Sequence, residues 1–185
     1  MKLKISLALL ICVGFAEQTL AVNQQDLEQL RTTGICHRCD LSGADLTQIK
    51  LGGVKMREAN LKGANLSGVN LKDADLTGAN LEMAVLNGAI LENTSLVGAN
   101  LKSASLENAV LSYTGFLGAN LEAANLKGAT ELLPNYRGAH FRLTTMPNGV
   151  VTSDKPYWWS LERNAPKECN KFKVGGRSGS TCYTE

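Results

Sequence analysis

A large apolar residue returns at every fifth position through the middle of the chain. These central positions run from Leu41 to Leu126, and all are leucine except Met56 and Phe116. The residue two positions before each centre is usually small, and it is alanine at twelve of the eighteen sites. Most other positions are polar. A repeat this strict predicts a solenoid in which each unit stacks on its neighbours.

A period of five fits neither an α-helix nor a flat strand. Helical residues five apart differ by about 140° around the axis, so the leucines would form no apolar stripe. Strand side chains alternate between two faces, which would send successive leucines to opposite sides. The chain must therefore bend once per repeat, with its backbone paired to neighbouring coils at about 4.8 Å. Glycines two positions after many centres, such as Gly63 and Gly68, suit the corners.

The five-residue segments resemble the A(D/N)LxX signature of the pentapeptide-repeat family. Matching segments include ADLTQ, ANLKG, ANLSG and ADLTG. Members of this family form a right-handed, four-sided β-helix with four repeats per coil. The resemblance therefore implies an all-β solenoid of this quadrilateral type over residues 39–143. Its eighteen repeats, centred on residues 41 to 126, would make four and a half coils and a rod about 22 Å tall.

Two stacked columns support four repeats per coil, because residues twenty apart would then lie above one another. The residues just before the centres of one side are all asparagine, which can form a ladder of hydrogen bonds. The residues just after the same centres alternate in charge, which favours pairing between adjacent strands. The first column is Asn60, Asn80, Asn100 and Asn120, and the second is Lys62, Glu82, Lys102, Glu122 and Arg142.

Residues 1–21 have the features of an export signal. Lys2 and Lys4 precede an apolar run over residues 5–15, and small residues suit cleavage after Ala21 or after Ala16. The run is too short for a permanent membrane span. We therefore expect export to the periplasm, or to the thylakoid lumen if the source is cyanobacterial. No stable membrane insertion is expected after the signal is removed. The alternative is that the signal is not cleaved and anchors the protein in the membrane.

The segments before and after the repeats are expected to cover the ends of the solenoid, where strand edges are unpaired. Residues 22–38 form the predicted N-terminal cap, with a short helix from Asp26 to Arg31 whose charges suit the helix dipole. Residues 144–185 form a predicted irregular C-terminal tail, which begins with a turn over residues 146–149. The segment that leads into the first repeat also resembles that of exported family members.

Four cysteines remain once residues 1–21 are removed. An even number in an exported chain predicts disulfide bonds. We expect Cys36–Cys39 and Cys169–Cys182, with the second bond tying the C-terminal tail, although all three connectivities stay open. Cys36 and Cys39 could instead form a redox-active dithiol or contribute to a metal site. Zinc needs four ligands, which these two cysteines and His37 cannot supply alone.

One region of the predicted outer surface is apolar. Outward positions twenty apart on two neighbouring sides carry aliphatic residues, and a tyrosine lies near the corner between them. Exposed apolar patches mark contact sites. Either the C-terminal tail covers the patch with Trp158 or Trp159, or the patch binds a protein partner or a second copy of the chain. The patch consists of Ile90, Val97, Val110, Tyr113 and Leu117.

Neither catalysis nor nucleic-acid binding is indicated. His37 and His140 belong to no recognisable nucleophile and base arrangement, and we assign no catalytic, cofactor-binding or metal-binding residue. The formal net charge of +2 gives little attraction to nucleic acid. We therefore predict an exported, non-enzymatic scaffold or protein-interaction module without a cofactor.

Two other functions remain as alternatives. One is a redox-responsive or metal-linked protein built on Cys36 and Cys39. The other is a DNA-mimicking topoisomerase inhibitor, a role that some members of the family have. Lysines interrupt the acidic residues of the repeats, for example at Lys62, Lys72 and Lys102. A continuous acidic surface, which DNA mimicry needs, is therefore not expected.

Overall fold

The computed structural model describes residues 23–152, 168–174 and 177–183. Helix α1 spans Gln24–Thr33, strand β1 spans Glu168–Val174 and strand β2 spans Arg177–Tyr183. The repeats follow α1 and form the coils of a rod. The predicted export signal over residues 1–21 lies outside the described residues, as do Trp158 and Trp159.

Each coil of the rod contains four repeats. Parallel bridges join residues twenty apart along the chain, from residue 35 to residue 145. The amide of Leu81 donates to the carbonyl of Asn100 in the next coil (2.7 Å), and the amide of Asn80 donates to Ala59 in the preceding one (2.9 Å). The predicted spacing of twenty is confirmed. The bridges begin at residue 35, within the segment 22–38 that the sequence assigns to a cap.

A tight turn bends the chain after each centre. The amide of Ala44 donates to the carbonyl of Leu41 (3.1 Å), and Gly43 has a left-handed φ of 65°. These are features of a β-turn that favours glycine at its third residue. Eleven residues other than glycine also have a positive φ in the described part of the chain. The corner therefore keeps its conformation even where the sequence places a side chain there.

The leucine centres and the small residues before them fill the rod. Every leucine centre from Leu41 to Leu126 is at most 1% exposed, which confirms the predicted inward placement. Thr94 and Thr114 occupy two of the sites that usually hold alanine, and they are buried as well. Their hydroxyls donate to the carbonyls of Leu71 (2.7 Å) and Leu91 (2.8 Å). These hydrogen bonds offset the cost of burying a polar group.

Ile49 shows why the alanine sites must be small. Its side chain is only half-buried, whereas the other apolar residues at these sites within residues 39–124 are buried. Bridges join the equivalent positions of neighbouring repeats, but none joins Lys50 to Asn70. Isoleucine is too large for the site, and overfilling a packed interior shifts the backbone. The pairing between the first two coils is therefore interrupted at this side.

The two columns predicted on the first side are present, although the charged one is broken. Asn80, Asn100 and Asn120 each donate a side-chain hydrogen bond to the asparagine of the preceding coil, at 3.2–3.3 Å. Ion pairs join three of the four steps in the charged column. Because these pairs are exposed in part, each contributes little to stability. They are Lys62–Glu82 (3.3 Å), Lys102–Glu122 (3.4 Å) and Glu122–Arg142 (3.2 Å).

Asp40 ends the asparagine ladder in the first coil. Its carboxylate accepts hydrogen bonds from the amide of Ser42 (3.1 Å) and the side chain of Asn60 (2.9 Å). Hydrogen bonding from Ser42, and to a lesser degree from Asn60, lowers the pKa of Asp40 below its ordinary value of 3.8. The column thus keeps the same bonding pattern with a carboxylate in place of a carboxamide.

Helix α1 begins and ends at residues suited to helix termini. The side chain of Asn23 accepts hydrogen bonds from the amides of Gln25 and Asp26, and Gly34 follows the helix with a left-handed φ of 67°. Leu30 is 2% exposed and belongs to the core of the rod. The helix is longer than the predicted Asp26 to Arg31 by two residues at each end. Its apolar residues hold it against the first coil.

Side chains of α1 also bind the free backbone edge of the first coil. The carboxylate of Asp26 accepts the amide of Asp40 (2.7 Å). The side chain of Gln29 donates to the carbonyl of Ile35 (3.0 Å), and the hydroxyl of Thr33 accepts the amide of the same residue (3.0 Å). Without a preceding coil, these edge groups have no backbone partner. The helix therefore covers two sides of this end.

Aromatic residues close the core at the other end. Tyr136 stacks on Phe116 with 4.9 Å between ring centroids and meets the edge of Phe141 at 5.2 Å. The hydroxyl of Tyr136 donates to Glu131. Burial, followed by that hydrogen bond, raises the pKa of Tyr136 well above its usual value. Residues 131–138 keep the register of the coils, because Asn135 bridges to Gly115.

The chain then turns back over the last coil. The amide of Met146 donates to the carbonyl of Val150 (2.8 Å), in agreement with the turn predicted over residues 146–149. Thr152 is 4% exposed, and its hydroxyl accepts the amide of Thr144 (2.9 Å). A returning segment thereby binds backbone groups that no further coil satisfies.

The C-terminal tail is not wholly irregular, and that expectation is wrong for residues 168–174 and 177–183. Strands β1 and β2 pair in antiparallel fashion, with Phe172 opposite Gly179 and Cys169 opposite Cys182. Lys-Phe-Lys-Val at residues 171–174 alternates polar and apolar residues, as strands do. This alternation covers too few residues to have predicted the strands from the sequence. The register makes the two cysteines cross-strand partners, while the bond between them stays a prediction.

Shortening a central leucine should weaken the rod. Leu81→Ala and Leu101→Ala should each lower the free energy of unfolding by about 2–5 kcal/mol, because both side chains are fully buried. Urea unfolding followed by circular dichroism measures this change. Lys127→Ala, at an exposed site, is the control and should change it by less than about 0.5 kcal/mol. Equal effects of the leucine and lysine variants would contradict the inward placement.

Candidate interaction surface

The apolar patch predicted from the sequence lies across two neighbouring sides of the rod. Two of its members bridge to each other on the third side, next to centres Leu91 and Leu111. Two more follow the centres of the fourth side, Leu96 and Phe116. The structure thus brings all of them to one corner and the two surfaces beside it. Ile90 and Val110 lie on the third side, Tyr113 at the corner, and Val97 and Leu117 on the fourth side.

The patch is only in part exposed. Tyr113 is 50% exposed, Leu117 41% and Ile90 37%. Val97 and Val110 are half-buried between their neighbours in adjacent coils. The protruding groups are therefore concentrated at the corner and on the fourth side.

We call the outer surface of the fourth side over its last three coils the fourth-side face. Its only charged member is Arg137, at the upper rim. Below it, the same side carries Lys55, Arg57, Asp73 and Asp75, of which Arg57 and Asp75 form an ion pair at 2.5 Å. The uncharged and charged halves of this side are thus separated along the rod. The face consists of Asn93, Ser95, Val97, Tyr113, Gly115, Leu117, Leu133, Asn135 and Arg137.

The lower, charged half contains one ion pair, between Arg57 and Asp75. Partial burial acts to raise the pKa of Asp75, but hydrogen bonds from Thr77 and Arg57 and the charge of Arg57 outweigh it, so that the pKa is lowered. Asp75 is therefore ionised at neutral pH and held by its neighbours. The long-range electrostatic attraction of this half of the side for a charged partner is correspondingly reduced.

Tyr113 and Leu133 occupy a corner position that suits neither residue. Their φ angles are 57° and 51°, a left-handed conformation that bulky residues rarely adopt. Such a conformation costs about 1–3 kcal/mol. Both side chains are also exposed, Leu133 at 74%, so burial in the described rod does not offset that cost. The same corner in earlier coils holds Gly53, Asp73 and Asn93.

Gly115 leaves a recess in the middle of the face. It lies between Tyr113 and Leu117 along its coil and bridges to Ser95 and Asn135 in the coils below and above. A Cβ atom built on Gly115 would come no closer than 3.9 Å to the nearest atom, and the residue has no left-handed φ. Neither sterics nor backbone conformation requires glycine here. The missing side chain creates a recess walled by four neighbours.

The recess was not predicted from the sequence, although the position of Gly115 indicates it. Gly115 occupies the position just before a centre, where other repeats carry a polar or aliphatic side chain, such as Asn100 or Val110. Within residues 39–143, glycine is otherwise confined to corners and to Gly52. A glycine out of phase with the corners is thus the feature that indicates the recess.

Cys36 and Cys39 are joined by a disulfide bond, with their Cα atoms 5.3 Å apart. The bond spans a corner of the first coil beneath α1. Both cysteines are buried, at 0% and 4% exposure. Within the described residues, no cluster of three or more potential metal-ligating side chains occurs. Neither sulfur atom is a thiolate available to a metal or an oxidant.

The two histidines lie far apart along the rod. His37 is exposed in the first coil, and His140 is exposed in the last, where it bridges to Asn120. They cannot act on a common substrate atom. Among the residues that the structure describes, no helix has the length and apolar character needed to cross a membrane.

A model of one protein family matches the repeats. This model, described as "Pentapeptide repeats", matches in eight copies over residues 35–73, 55–93, 70–108 and 89–128. The matches together cover about half of the chain. They begin at the residue where the bridges begin. No curated protein matches this chain.

Several solved structures are similar to the chain. HetL, a pentapeptide repeat protein from Nostoc sp. strain PCC 7120 involved in heterocyst differentiation regulation, is 29% identical, with 64% of this chain and 66% of HetL covered and a TM-score of 0.30. Rfr23 from Cyanothece 51142 is 27% identical, with 63% and 92% covered and a TM-score of 0.38. A thylakoid-lumen protein of Arabidopsis thaliana is 32% identical, with 60% and 67% covered and a TM-score of 0.33.

Tyr113 should be replaceable without loss of stability. Tyr113→Asn removes a bulky residue from a left-handed position and supplies the residue type found at Asn93 in the same column. The free energy of unfolding should stay unchanged or rise by up to about 1 kcal/mol. Urea unfolding measures it, with Met83→Asn as the matched variant, because Met83 has the same φ of 57°. A fall of more than about 1 kcal/mol in Tyr113→Asn alone would show that Tyr113 is structural.

Proposed function

This chain belongs to the pentapeptide-repeat family, and we propose that it is an exported, non-enzymatic scaffold that binds protein through the fourth-side face. Proteins of this family are typically structural scaffolds rather than enzymes. The exposed Tyr113 and Leu117 on an uncharged surface carry the proposal, because apolar patches on folded proteins mark contact sites.

The backbone conformation of Tyr113 supports a role in binding. A large apolar residue at this corner is unfavourable both in conformation and in exposure. Strained residues persist where function requires them. Asparagine at the equivalent Asn93 shows that the corner itself needs no tyrosine. A contact outside the rod would account for the side chain, and the apolar Leu117 and Leu133 beside it distinguish this corner from that of Met83, which has the same conformation.

Both ends of the rod are covered by other parts of the chain, which favours the sides as the binding surface. Asp26, Gln29 and Thr33 bind edge groups of the first coil, and Thr152 binds backbone groups of the last. We infer that α1 and the returning segment act as caps. Caps oppose end-to-end association of solenoids, which leaves the lateral faces for partners.

Export agrees with the chemistry of the cysteines. The disulfide between Cys36 and Cys39 suits an oxidising compartment, which the periplasm or a lumen provides. The features of an export signal over residues 1–21 point the same way. The disulfide pairing of Cys169 with Cys182 is part of this proposal, because the two residues are opposite each other in the hairpin.

A redox-responsive role for Cys36 and Cys39 is less well supported. Exchange requires a thiolate to reach one sulfur of the bond, and both cysteines are buried beneath α1. DNA mimicry is opposed by the paired charges on the sides, such as Lys62–Glu82 and Arg57–Asp75. A structural disulfide and a protein-binding face are the better explanation.

Removing the aliphatic groups of the face should abolish partner binding. Val97→Thr with Leu117→Thr places at both sites the residue found at Thr77 in the same column, so the fold should be kept. Proteins that co-purify with the wild type from its own compartment should be lost from this variant. Lys127→Thr, at the same repeat position on another side, is the control. Unchanged recovery with the double variant would exclude the face as the binding site.

A further inference from the structure

We propose that the fourth-side face binds a second copy of this chain, an inference that rests on the proposed function and names its partner. The dimer would pair two rods side by side through their uncharged halves. Three observations support a second copy: the shape of the face, its lack of charge and the polar residues around its recess.

The shape of the face is complementary to itself. One coil carries a protruding ring at Tyr113 and a recess at Gly115, only two residues apart and at the same height along the rod. A twofold axis parallel to the rod between these positions would set each ring over the recess of the other copy. A twofold interface uses the same patch on both subunits, so a patch that carries both shapes is suited to it.

The charge distribution favours contact between identical copies. Identical surfaces place like charges near one another, which opposes association. Over the coils of Asn93 and Tyr113, the face contains no charged residue. The charged residues lower on the same side, Lys55, Arg57, Asp73 and Asp75, are one coil or more below and comprise two positive and two negative charges. The apolar centre of a self-association interface therefore meets no like charge.

The polar residues around the recess also suit a twofold contact. Ser95 and Asn135 form its lower and upper walls and offer a hydroxyl and a carboxamide. The hydroxyl of Ser95 hydrogen bonds with that of Thr77 at 2.9 Å, and the carboxamide oxygen of Asn135 accepts the amide of Arg137 at 3.1 Å. Both groups keep further hydrogen-bonding capacity. They form a polar rim around an apolar contact, as interfaces typically have.

Sedimentation equilibrium of the purified full chain tests this proposal. The wild type should form a reversible dimer as its concentration rises from micromolar to millimolar. Gly115→Asn fills the recess, and Tyr113→Asn removes the ring. Each should raise the dimer dissociation constant at least about tenfold, or about 1.4 kcal/mol. Neither substitution should lower the melting temperature, because a Cβ at residue 115 meets no close atom.

Met83→Asn is the matched control. Met83 is 52% exposed and has the same left-handed φ as Tyr113, but it lies on another corner. It should leave the dissociation constant unchanged. A wild type that stays monomeric at every concentration would overturn the proposal, as would a Gly115→Asn variant that dimerises as well as the wild type.

Tryptophan emission tests the competing occupant, the C-terminal tail. The chain contains two tryptophans, Trp158 and Trp159, so the emission reports on the tail alone. At concentrations where the wild type is monomeric, Tyr113→Asn should not change the emission maximum. A red shift there would mean that the tail covers the face, and the second copy would be excluded.

The failure of this proposal is distinguishable from failure of the proposed function. If the wild type is monomeric but Val97→Thr with Leu117→Thr still loses its co-purified protein, the face binds a different partner and only the dimer is wrong. If neither sedimentation nor co-purification depends on the face, both proposals are wrong.

Discussion

The narrow interior of the coil is the constraint on which the structure depends. Each side has room for one leucine and one small residue, so the chain must turn after every centre. Ile49 demonstrates the limit, because a large residue at an alanine site interrupts the pairing of Lys50 with Asn70. The hydrophobic contribution of each buried leucine is large, whereas exposed ion pairs such as Lys62–Glu82 add little. The packing of the interior therefore sets the path of the backbone.

That same constraint leaves the outer surface free to vary. Positions before and after a centre point outward whatever residue they hold, so a column can be all asparagine on one side and uncharged and apolar on another. The corner tolerates glycine, asparagine or tyrosine with the same φ. Membership of the family consequently says little about a particular activity. The specific information lies in departures from the usual corner and surface residues, such as Tyr113, Leu133 and Gly115.

The regular part of the fold could be predicted from the sequence because the five-residue period reflects one bend of the chain per repeat. The centres follow from phase alone, whereas the spacing of twenty was implied by the resemblance to the family and supported by the asparagine ladder. The ends could not be predicted in the same detail, since single side chains such as Asp26, Gln29 and Thr152 satisfy them without a period. The patch was predicted from stacking. Neither the recess nor the hairpin was predicted, because Gly115 differs from the corner glycines only in its phase and the strands β1 and β2 alternate over few residues.

Scalar couplings across hydrogen bonds, measured by nuclear magnetic resonance, test most directly whether the chain coils around a column of leucines. The coil requires coupling from the amide nitrogen of Leu81 to the carbonyl carbon of Asn100, and from Leu101 to Asn120. Equivalent couplings should recur in every repeat of the central coils. Couplings between residues four apart would indicate helices instead. A shorter constant separation would indicate fewer repeats per coil, and either result would contradict the four-sided core.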